Sequence, residues 1–292
     1  MNIPKDAFDI IGFEADERKY YPSQKQMDQL KKYWSAKEQR NNLLYSDMEI
    51  PLGHSRYGGC VIDLPKNEPF PLAPEEYDHP TYQIAKDGFD ANYLRFVAQF
   101  DMEKVGAQDK TGRLPKTGQL YFFADIYNEK GHVCYVDVAA DELERVIVKH
   151  DDIFYVGCLV KEFAAQTERF QDRSRPLDVG AGETECGDCG EDFRSCGCNS
   201  EFNEFQMEDL TPDGRVYDMW VGAETSKFFG IFTELQANSM EEIVEMTCSD
   251  QLLLLQIGEN GFNEEGIFYV GIPKEDLKHL NFDNCTFRWS QT

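Results

Sequence analysis

The clearest structural pattern in this chain is the segment Gln251–Ile272, QLLLLQIGENGFNEEGIFYVGI. It contains two apolar runs, Leu252–Ile257 with a single internal glutamine and Ile267–Ile272, separated by polar residues that include Gly and Asn. Continuous apolar runs of this length between turn residues are typical of buried strands. We therefore predict two neighbouring strands joined by a loop.

Earlier parts of the chain repeat this unit. The matched pairs, in chain order, are SRYGG (55–59) with SKFFG (226–230), RFVAQF (95–100) with LLLLQI (252–257), and GQLYFF (118–123) with GIFYVG (266–271). Three matches in the same order indicate an internal duplication. When the two copies are aligned, Arg56 of the first copy corresponds to Lys227 of the second, and Gln99 corresponds to Gln256.

The element pattern predicts an α+β fold, with a strand-rich, duplicated scaffold, mainly antiparallel sheets and an N-terminal helix. Ser23 and Gln26 fit a capping box at the start of that helix, and short helices are expected at 239–246 and 274–280. No element is assigned to residues 1–22, and 104–117 is expected to be a loop. The expected parts are an N-terminal helical extension (1–45), a first repeat (46–163), an acidic, cysteine-rich insertion (164–213) and a second repeat (214–292).

Charge and cysteine usage limit the possible partners and the compartment. The 292 residues include 54 acidic and 29 basic side chains, a formal net charge of -25. Such a field repels nucleic acid and anionic lipid and favours a basic protein surface or a cation, although solubility alone explains it equally well. No run reaches the roughly 20 apolar residues of a membrane helix, and the first residues do not resemble a signal peptide. Five of the nine cysteines are scattered along the chain, as is usual for reduced thiols. Because thiols stay reduced in the cytoplasm, we expect a cytoplasmic protein.

The remaining four cysteines form a compact group in the insertion, TECGDCGEDFRSCGCNS. Cys186 and Cys189 form one pair, and Cys196 and Cys198 form a second pair. Four thiolates can complete the tetrahedral shell of a structural Zn²⁺, and the surrounding core-poor segment would fold largely on binding it. The pairs are closer together than in common zinc ribbons. Two disulfides, an iron–sulfur cluster or an unused redox pair remain open.

The repeated motifs, together with GIFYVGIPKEDLKHLNFDNCTFRW near the C-terminus, resemble the YwqG-like family of bacterial proteins, a domain of unknown function. The resemblance spans roughly 55–289 without the cysteine segment. The chain is also remotely similar to the programmed-cell-death-two type proteins of eukaryotes, which resemble chaperones for a ribosomal protein and carry an inserted zinc module. Some bacterial relatives act beside toxins as immunity proteins. The resemblance implies a duplicated α+β scaffold that binds protein. Two features depart from the family: Phe229-Gly230 replaces a common Gly-Gly, and the cysteine segment is not general.

The candidate ligand-binding residues are Arg56, Gln99, Lys227 and Gln256. A buried glutamine needs hydrogen-bond partners, so each glutamine either bonds a loop backbone in its own half, which we favour, or contacts a ligand. Each cation either binds an anion or pairs with a local acid.

No known catalytic motif is present, and the five histidines are dispersed. We expect a non-enzymatic, chaperone-like or immunity-like module that sequesters a basic protein client. The alternative is a small-ligand-binding protein or hydrolytic enzyme that uses a cleft between the repeats, where Gln99 and Gln256 would converge.

Overall fold

The computed structural model describes residues 3–19, 50–59, 61–66, 68, 94–125, 129–147, 157–176, 215–259 and 266–291. This part of the chain contains fourteen strands and three short α-helices. The strands are β1 Phe8–Lys19, β2 Arg56–Tyr57, β3 Val61–Pro65, β4 Arg95–Asp101, β5 Gln119–Asp125, β6 Lys130–Val136, β7 Leu143–Ile147, β8 Cys158–Glu168, β9 Ser174–Pro176, β10 Arg215–Tyr217, β11 Lys227–Phe228, β12 Gln251–Ile257, β13 Ile267–Pro273 and β14 Thr286–Ser290. The helices are α1 Met102–Gln108, α2 Met240–Cys248 and α3 Lys274–Lys278.

Ten strands form one antiparallel sheet in the order β14-β13-β12-β11-β1-β8-β2-β4-β5-β6. Its two outermost strands approach each other. Arg288 Nη1 of β14 lies 3.0 Å from Glu129 Oε1 next to β6, and the Phe287 ring packs so closely on Gly131 that a Cβ there would lie 2.4 Å from it. The sheet is therefore nearly closed and barrel-like.

The expectation of an α+β fold is wrong, because the described residues are dominated by strands and their three helices have seven, nine and five residues. A sheet that curls on itself buries one face within its own interior, so no layer of helices is needed to form the core. Alternate side chains of β5 and β13, such as Leu120, Phe122, Phe268 and Val270, fill that interior.

The strand registers repeat in the two halves of the sheet. Arg56 of β2 lies opposite Gln99 of β4, and Lys227 of β11 lies opposite Gln256 of β12. Each half also has one irregularity at the matching place, between Phe96 and Ala98 in β4 and between Leu253 and Leu255 in β12. Residues that the sequence matches make equivalent therefore have equivalent strand partners in the two halves.

The centre of the sheet is the antiparallel pair β1–β8, which the sequence pattern does not predict as a pair. Nine residue pairs join the two strands, from Phe8 with Glu168 to Lys19 with Cys158. On its other side β1 pairs with β11, whereas β8 pairs with β2. The strand β1, which precedes both halves in the chain, therefore joins the second half, while β8 joins the first half, and the pair β1–β8 connects the two.

Each half of the outer face has its own cover. The small sheet β3–β7 covers the first half, where Ile62 and Leu64 pack on Phe96, Tyr121 and Phe123. In the second half the segment after β11 and helix α2 take this place: Phe232 packs on Leu253 and Tyr269, with Met246 of α2 beside them. The two covers create buried layers outside the sheet, and the candidate residues lie in these layers.

Several local predictions can be compared with the observed elements. The helix predictions at 239–246 and 274–280 correspond to α2 and α3, and Ser239 accepts a hydrogen bond from the Glu242 backbone N–H as the N-cap of α2. The loop expected at 104–117 is wrong in its first part, because α1 begins after Asp101, which caps it. The predicted N-terminal helix and the cysteine group lie outside the described residues. The four-part division of the chain remains a prediction.

Candidate functional site

The four candidate residues do not meet at one place. Gln99 and Gln256 lie on strands five positions apart in the sheet, a separation of roughly 24 Å along the sheet. Arg56 and Lys227 each stay beside the glutamine of their own half. All four side chains are buried. The structure therefore forms two separate internal centres, and not one cleft lined by both glutamines.

The centre of the first half is a carboxylate held between two guanidinium groups. Asp63 of β3 accepts from Arg56 Nη2 at 2.5 Å and from Arg145 of β7 at 2.8 and 3.1 Å. The Gly53 backbone N–H donates to the same carboxylate at 3.0 Å. Asp63 is fully buried, and this number of charge-assisted hydrogen bonds offsets the cost of removing its charge from water.

Gln99 connects this centre to the sheet. Its Oε1 accepts from the Asp63 backbone N–H at 2.9 Å, and its Nε2 donates to Gln119 Oε1 at 3.4 Å. The Tyr121 hydroxyl donates to the Asp63 carbonyl at 2.7 Å. Gln99 thus holds the cover strand β3 on the sheet and has both ends of its amide occupied.

The centre of the second half has a different set of partners. Lys227 Nζ lies 2.6 Å from Glu168 Oε1 and donates to the Ile231 carbonyl at 2.8 Å. Arg173 lies 3.5 Å from the same carboxylate and donates to the Phe232 and Ile231 carbonyls at 2.9 and 3.1 Å. The Ile231 backbone N–H also donates to Glu168. One carboxylate therefore serves two buried cations.

Burial, together with the charges around them, shifts the pKa values of Lys227 and Glu168 in the second centre. Burial lowers the pKa of Lys227 to about 7; Glu168 opposes that shift, and Arg173 adds to it. Burial alone would raise the pKa of Glu168, but the charges of Lys227 and Arg173 and two hydrogen bonds bring it below its ordinary value. The carboxylate is therefore ionised at neutral pH, while Lys227 is close to its titration point.

Gln256 bonds the loop before β11. Its Nε2 donates to the Gly222 carbonyl at 2.9 Å and the Thr225 carbonyl at 2.8 Å. Gln256 thus bonds loop backbone in its own half, the alternative that the sequence favours, whereas Gln99 bonds the backbone of strand β3 and the side chain of Gln119. The matching serines also act alike: Ser55 Oγ accepts from the Asp101 N–H, and Ser226 Oγ accepts from the Gly258 N–H.

The partners of the two cations, Arg56 and Lys227, are not predicted from the sequence. Asp63 could have been found, because a charged residue inside the apolar run VIDLP indicates a buried ion pair. Glu168 and Arg173 carry no comparable signal, since Glu168 ends a half-buried strand, Arg173 follows it, and they meet Lys227 only through the β1–β8 arrangement.

The turn after β11 places an aromatic ring between the two halves. Phe229 is buried although its backbone has φ +64°, and Arg113 from the segment after α1 lies over its ring at 3.7 Å. Gly230 follows with φ +95°, and a Cβ there would lie 2.1 Å from Glu168 Oε1. A shallow recess beside this contact is bordered by Asp9 of β1, Gln166 of β8 and Gln108 and Lys110 of the first half.

The surface formed by residues 215–259 is acidic. This segment contains eight acidic and two basic residues; of the basic pair, Lys227 is buried and Arg215 is bonded to Ser174. Glu241 and Glu245 are exposed one turn apart on α2, a like-charge spacing that weakens a helix slightly. Trp220, in the turn before β11, is 53% exposed.

The four cysteines predicted to bind a metal lie outside the residues that the structure describes. Within the described ranges, no group of three or more His, Cys, Asp or Glu side chains is placed to hold a metal ion. Cys186, Cys189, Cys196 and Cys198 lie outside those ranges. Among the helices of the described residues, none is long and apolar enough to cross a membrane.

The fold and the two buried centres describe a strand-dominated protein with two similar halves. In each half a buried cation, Arg56 or Lys227, pairs with a carboxylate inside the protein. The chain belongs to the family described as a domain of unknown function, DUF1963, whose model matches residues 55–290. The matched range begins at β2, so the central strand β1 lies outside it. No curated protein matches the chain.

Proposed function

We propose that this protein is a non-enzymatic binding module that sequesters a basic protein client through the surface formed by Trp220 and α2. The observation that carries the proposal is an exposed tryptophan beside an acidic helix in a segment that offers no exposed cation. A basic partner could pair with the carboxylates and place a Lys or Arg on the indole.

The position of Trp220 supports this use. Its backbone N–H donates to Asp218 Oδ1 at 2.9 Å, and its carbonyl accepts from the Ala223 N–H at 2.9 Å. The turn thus fixes the backbone while leaving the indole in solvent. An aromatic side chain on an ordered backbone loses little entropy on binding, which is a property of interface hot spots.

The turn and the helix lie side by side. Met219, next to Trp220, and Val244 of α2 both pack on the cluster that contains Phe170, Met240 and Ile243. The turn that carries Trp220 and the helix that carries the exposed Glu241 and Glu245 therefore adjoin the same hydrophobic cluster. This arrangement provides an apolar anchor next to negative charge.

The client class follows from charge and from the resemblance to YwqG-like and programmed-cell-death-two type proteins. A ribosomal protein or a toxin is basic enough to use this surface, and encounter would be accelerated by the net charge of -25 and weakened by salt. A cytoplasmic setting agrees with the unbridged Cys134, Cys158, Cys248 and Cys285.

We also propose a structural Zn²⁺ held by Cys186, Cys189, Cys196 and Cys198. The support is the chemistry of four closely spaced thiolates in a segment with few aliphatic residues. The metal would order the insertion and take no part in a reaction.

The test begins with affinity purification from the native host at low and high ionic strength, and continues with the purified partner. Trp220→Ala and the pair Glu241→Gln/Glu245→Gln should each weaken binding roughly fivefold or more. The carboxylate variant should also reduce the dependence of affinity on salt. Glu103→Gln/Glu142→Gln, which removes two exposed charges elsewhere, should change little. Recovery of no basic partner at either ionic strength would contradict the proposal, as would equal losses in the control.

A further inference from the structure

The internal duplication gives the buried Asp63 a counterpart in the second half. The match between SRYGG and SKFFG continues for six more residues, CVIDLP with IFTELQ, which makes Asp63 equivalent to Glu234. Asp63 neutralises two guanidinium groups in the first half. In the second half Lys227 pairs with Glu168 instead. The carboxylate of Glu234 is therefore not used as its counterpart is used.

The hydrogen bonds of Glu234 come from uncharged groups. Among the described residues, the Tyr269 hydroxyl donates to Oε2 at 2.7 Å, the Gln236 backbone N–H donates to Oε1 at 3.2 Å, and the Ser290 hydroxyl also donates to Oε1. Burial and the charge of Glu234 raise the pKa of Tyr269, so its hydroxyl stays protonated and remains a donor. These bonds hold the carboxylate in one orientation. Because a carboxylate has about four acceptor positions, a further donor can still bind.

This carboxylate is reached by solvent and is not neutralised. Tyr269 and Ser290 are buried, yet their hydrogen bonds to Glu234 are only partly buried, so the carboxylate is the accessible partner. Glu234 forms no ion pair with any residue of the described ranges. Arg288, whose charge also acts on Tyr269, is paired with Glu129 at 3.0 Å. The site therefore has an oriented acceptor and no cation of its own within that part of the chain.

The first half shows which group completes such a site. Arg145 of β7 lies directly opposite Asp63 in the β3–β7 pairing and reaches its carboxylate at 2.8 Å. Among the strands that the structure describes, none pairs with 232–236, the counterpart of β3. The second half thus keeps the acidic residue without the strand that supplies the arginine in the first half.

Glu234 lies between the two parts of the surface proposed to bind a basic client. Its neighbour Leu235 packs with Ala223, whose N–H donates to the Trp220 carbonyl. The Glu234 carbonyl accepts from the Ala237 N–H, and Ala237 packs in the same cluster as α2. A client that contacts both the turn and the helix would therefore pass close to this carboxylate.

We propose that Glu234 binds a lysine or arginine side chain of the basic client, the role that Arg145 has toward Asp63 within the first half. The identity of the partner rests on the proposed function, whereas the affinity of the carboxylate for a cationic side chain is testable without a client. An ion pair that is also hydrogen-bonded is stronger than a neutral hydrogen bond. Since the carboxylate is already oriented, little ordering is needed on binding.

The experiment is an NMR titration with N-acetyl-arginine amide and N-acetyl-lysine amide at constant ionic strength, with N-acetyl-glutamine amide as the neutral control. The reporter is the backbone amide of Gln236, which donates to Glu234. A saturable shift is expected with the two cationic probes and not with the neutral one. Glu234→Gln should abolish it. Glu224→Gln, which removes an exposed carboxylate of the same segment, should change the Kd by less than about twofold.

Equal shifts with all three probes, or a saturable shift that persists in Glu234→Gln, would overturn the inference. If Glu234→Gln does not fold, the comparison of the three probes on wild-type protein decides. With a purified client, Glu234→Gln should weaken binding roughly fivefold or more. Binding that is weakened by Trp220→Ala and unchanged by Glu234→Gln would overturn this inference and leave the proposed function standing. If no basic partner is recovered, the proposed function fails, and the probe titration still decides whether Glu234 binds a cationic side chain.

Discussion

Lys227 provides the sharpest test of how the second buried centre is balanced. The perturbation is Lys227→Met, which removes the ammonium group and keeps an unbranched side chain in a fully buried position. Glu168 retains Arg173 and the Ile231 N–H as partners, so its carboxylate stays ionised above pH 7. The prediction concerns how the difference in stability between wild type and variant changes with pH.

The sign follows from the two pKa values of Lys227. They are about 7 in the folded protein and near the ordinary 10.5 in the unfolded chain. Between these values the unfolded chain binds a proton that the folded protein lacks, so the free energy of unfolding rises with pH. The slope is at most about 1.4 kcal/mol per pH unit, and the gain from pH 7 to 9 is about 2 kcal/mol. Well below pH 7 both states are protonated and the contribution no longer changes.

The assay is urea denaturation at pH 7, 8 and 9, with two-state fits for wild type and Lys227→Met. Other groups titrate in both proteins and cancel in the difference. Lys161→Met, which removes an exposed lysine, should give a curve parallel to wild type. If the unfolding free energies of wild type and Lys227→Met differ by the same amount at all three pH values, burial does not destabilise the charged form of Lys227 and the prediction is wrong.

Three further predictions concern the turn, the first centre and the insertion. Phe229→Gly should be more stable than Phe229→Ala by about 1 kcal/mol, because φ +64° favours glycine; the reverse order of urea midpoints would show that the turn is not strained. Gln99→Leu should lose about 1–3 kcal/mol, because the Asp63 N–H is left buried without an acceptor, whereas Gln166→Leu, on an exposed side chain, should lose almost nothing in the same assay. Cys189→Ser should remove the single zinc per chain expected in reduced protein by metal analysis; wild-type protein without zinc would refute the metal site.

The repeated strands, and the equivalence of their polar residues, can be predicted from the sequence alone. Gln99 and Gln256 occupy the same place in two apolar runs, and the structure pairs them with Arg56 and Lys227 in the same way. The position of each glutamine can be predicted because it is a polar residue within an apolar run, a pattern that involves only neighbouring residues. The N-cap of α2 at Ser239 is equally local.

The central strand, the closure of the sheet and the partners of the two cations depend on contacts between segments that are far apart in sequence. In β1, Ile10–Phe13 are buried in succession because both faces of this central strand are covered, so the alternation that marks a strand is absent. Its partner β8 is about 150 residues away in sequence, and pairing at that distance leaves no local pattern. Glu168 meets Lys227 only because β1 and β8 join opposite halves. Sequence patterns therefore predict which segments repeat. The contacts of the charged residues in those segments are determined by pairing between strands that are distant in sequence.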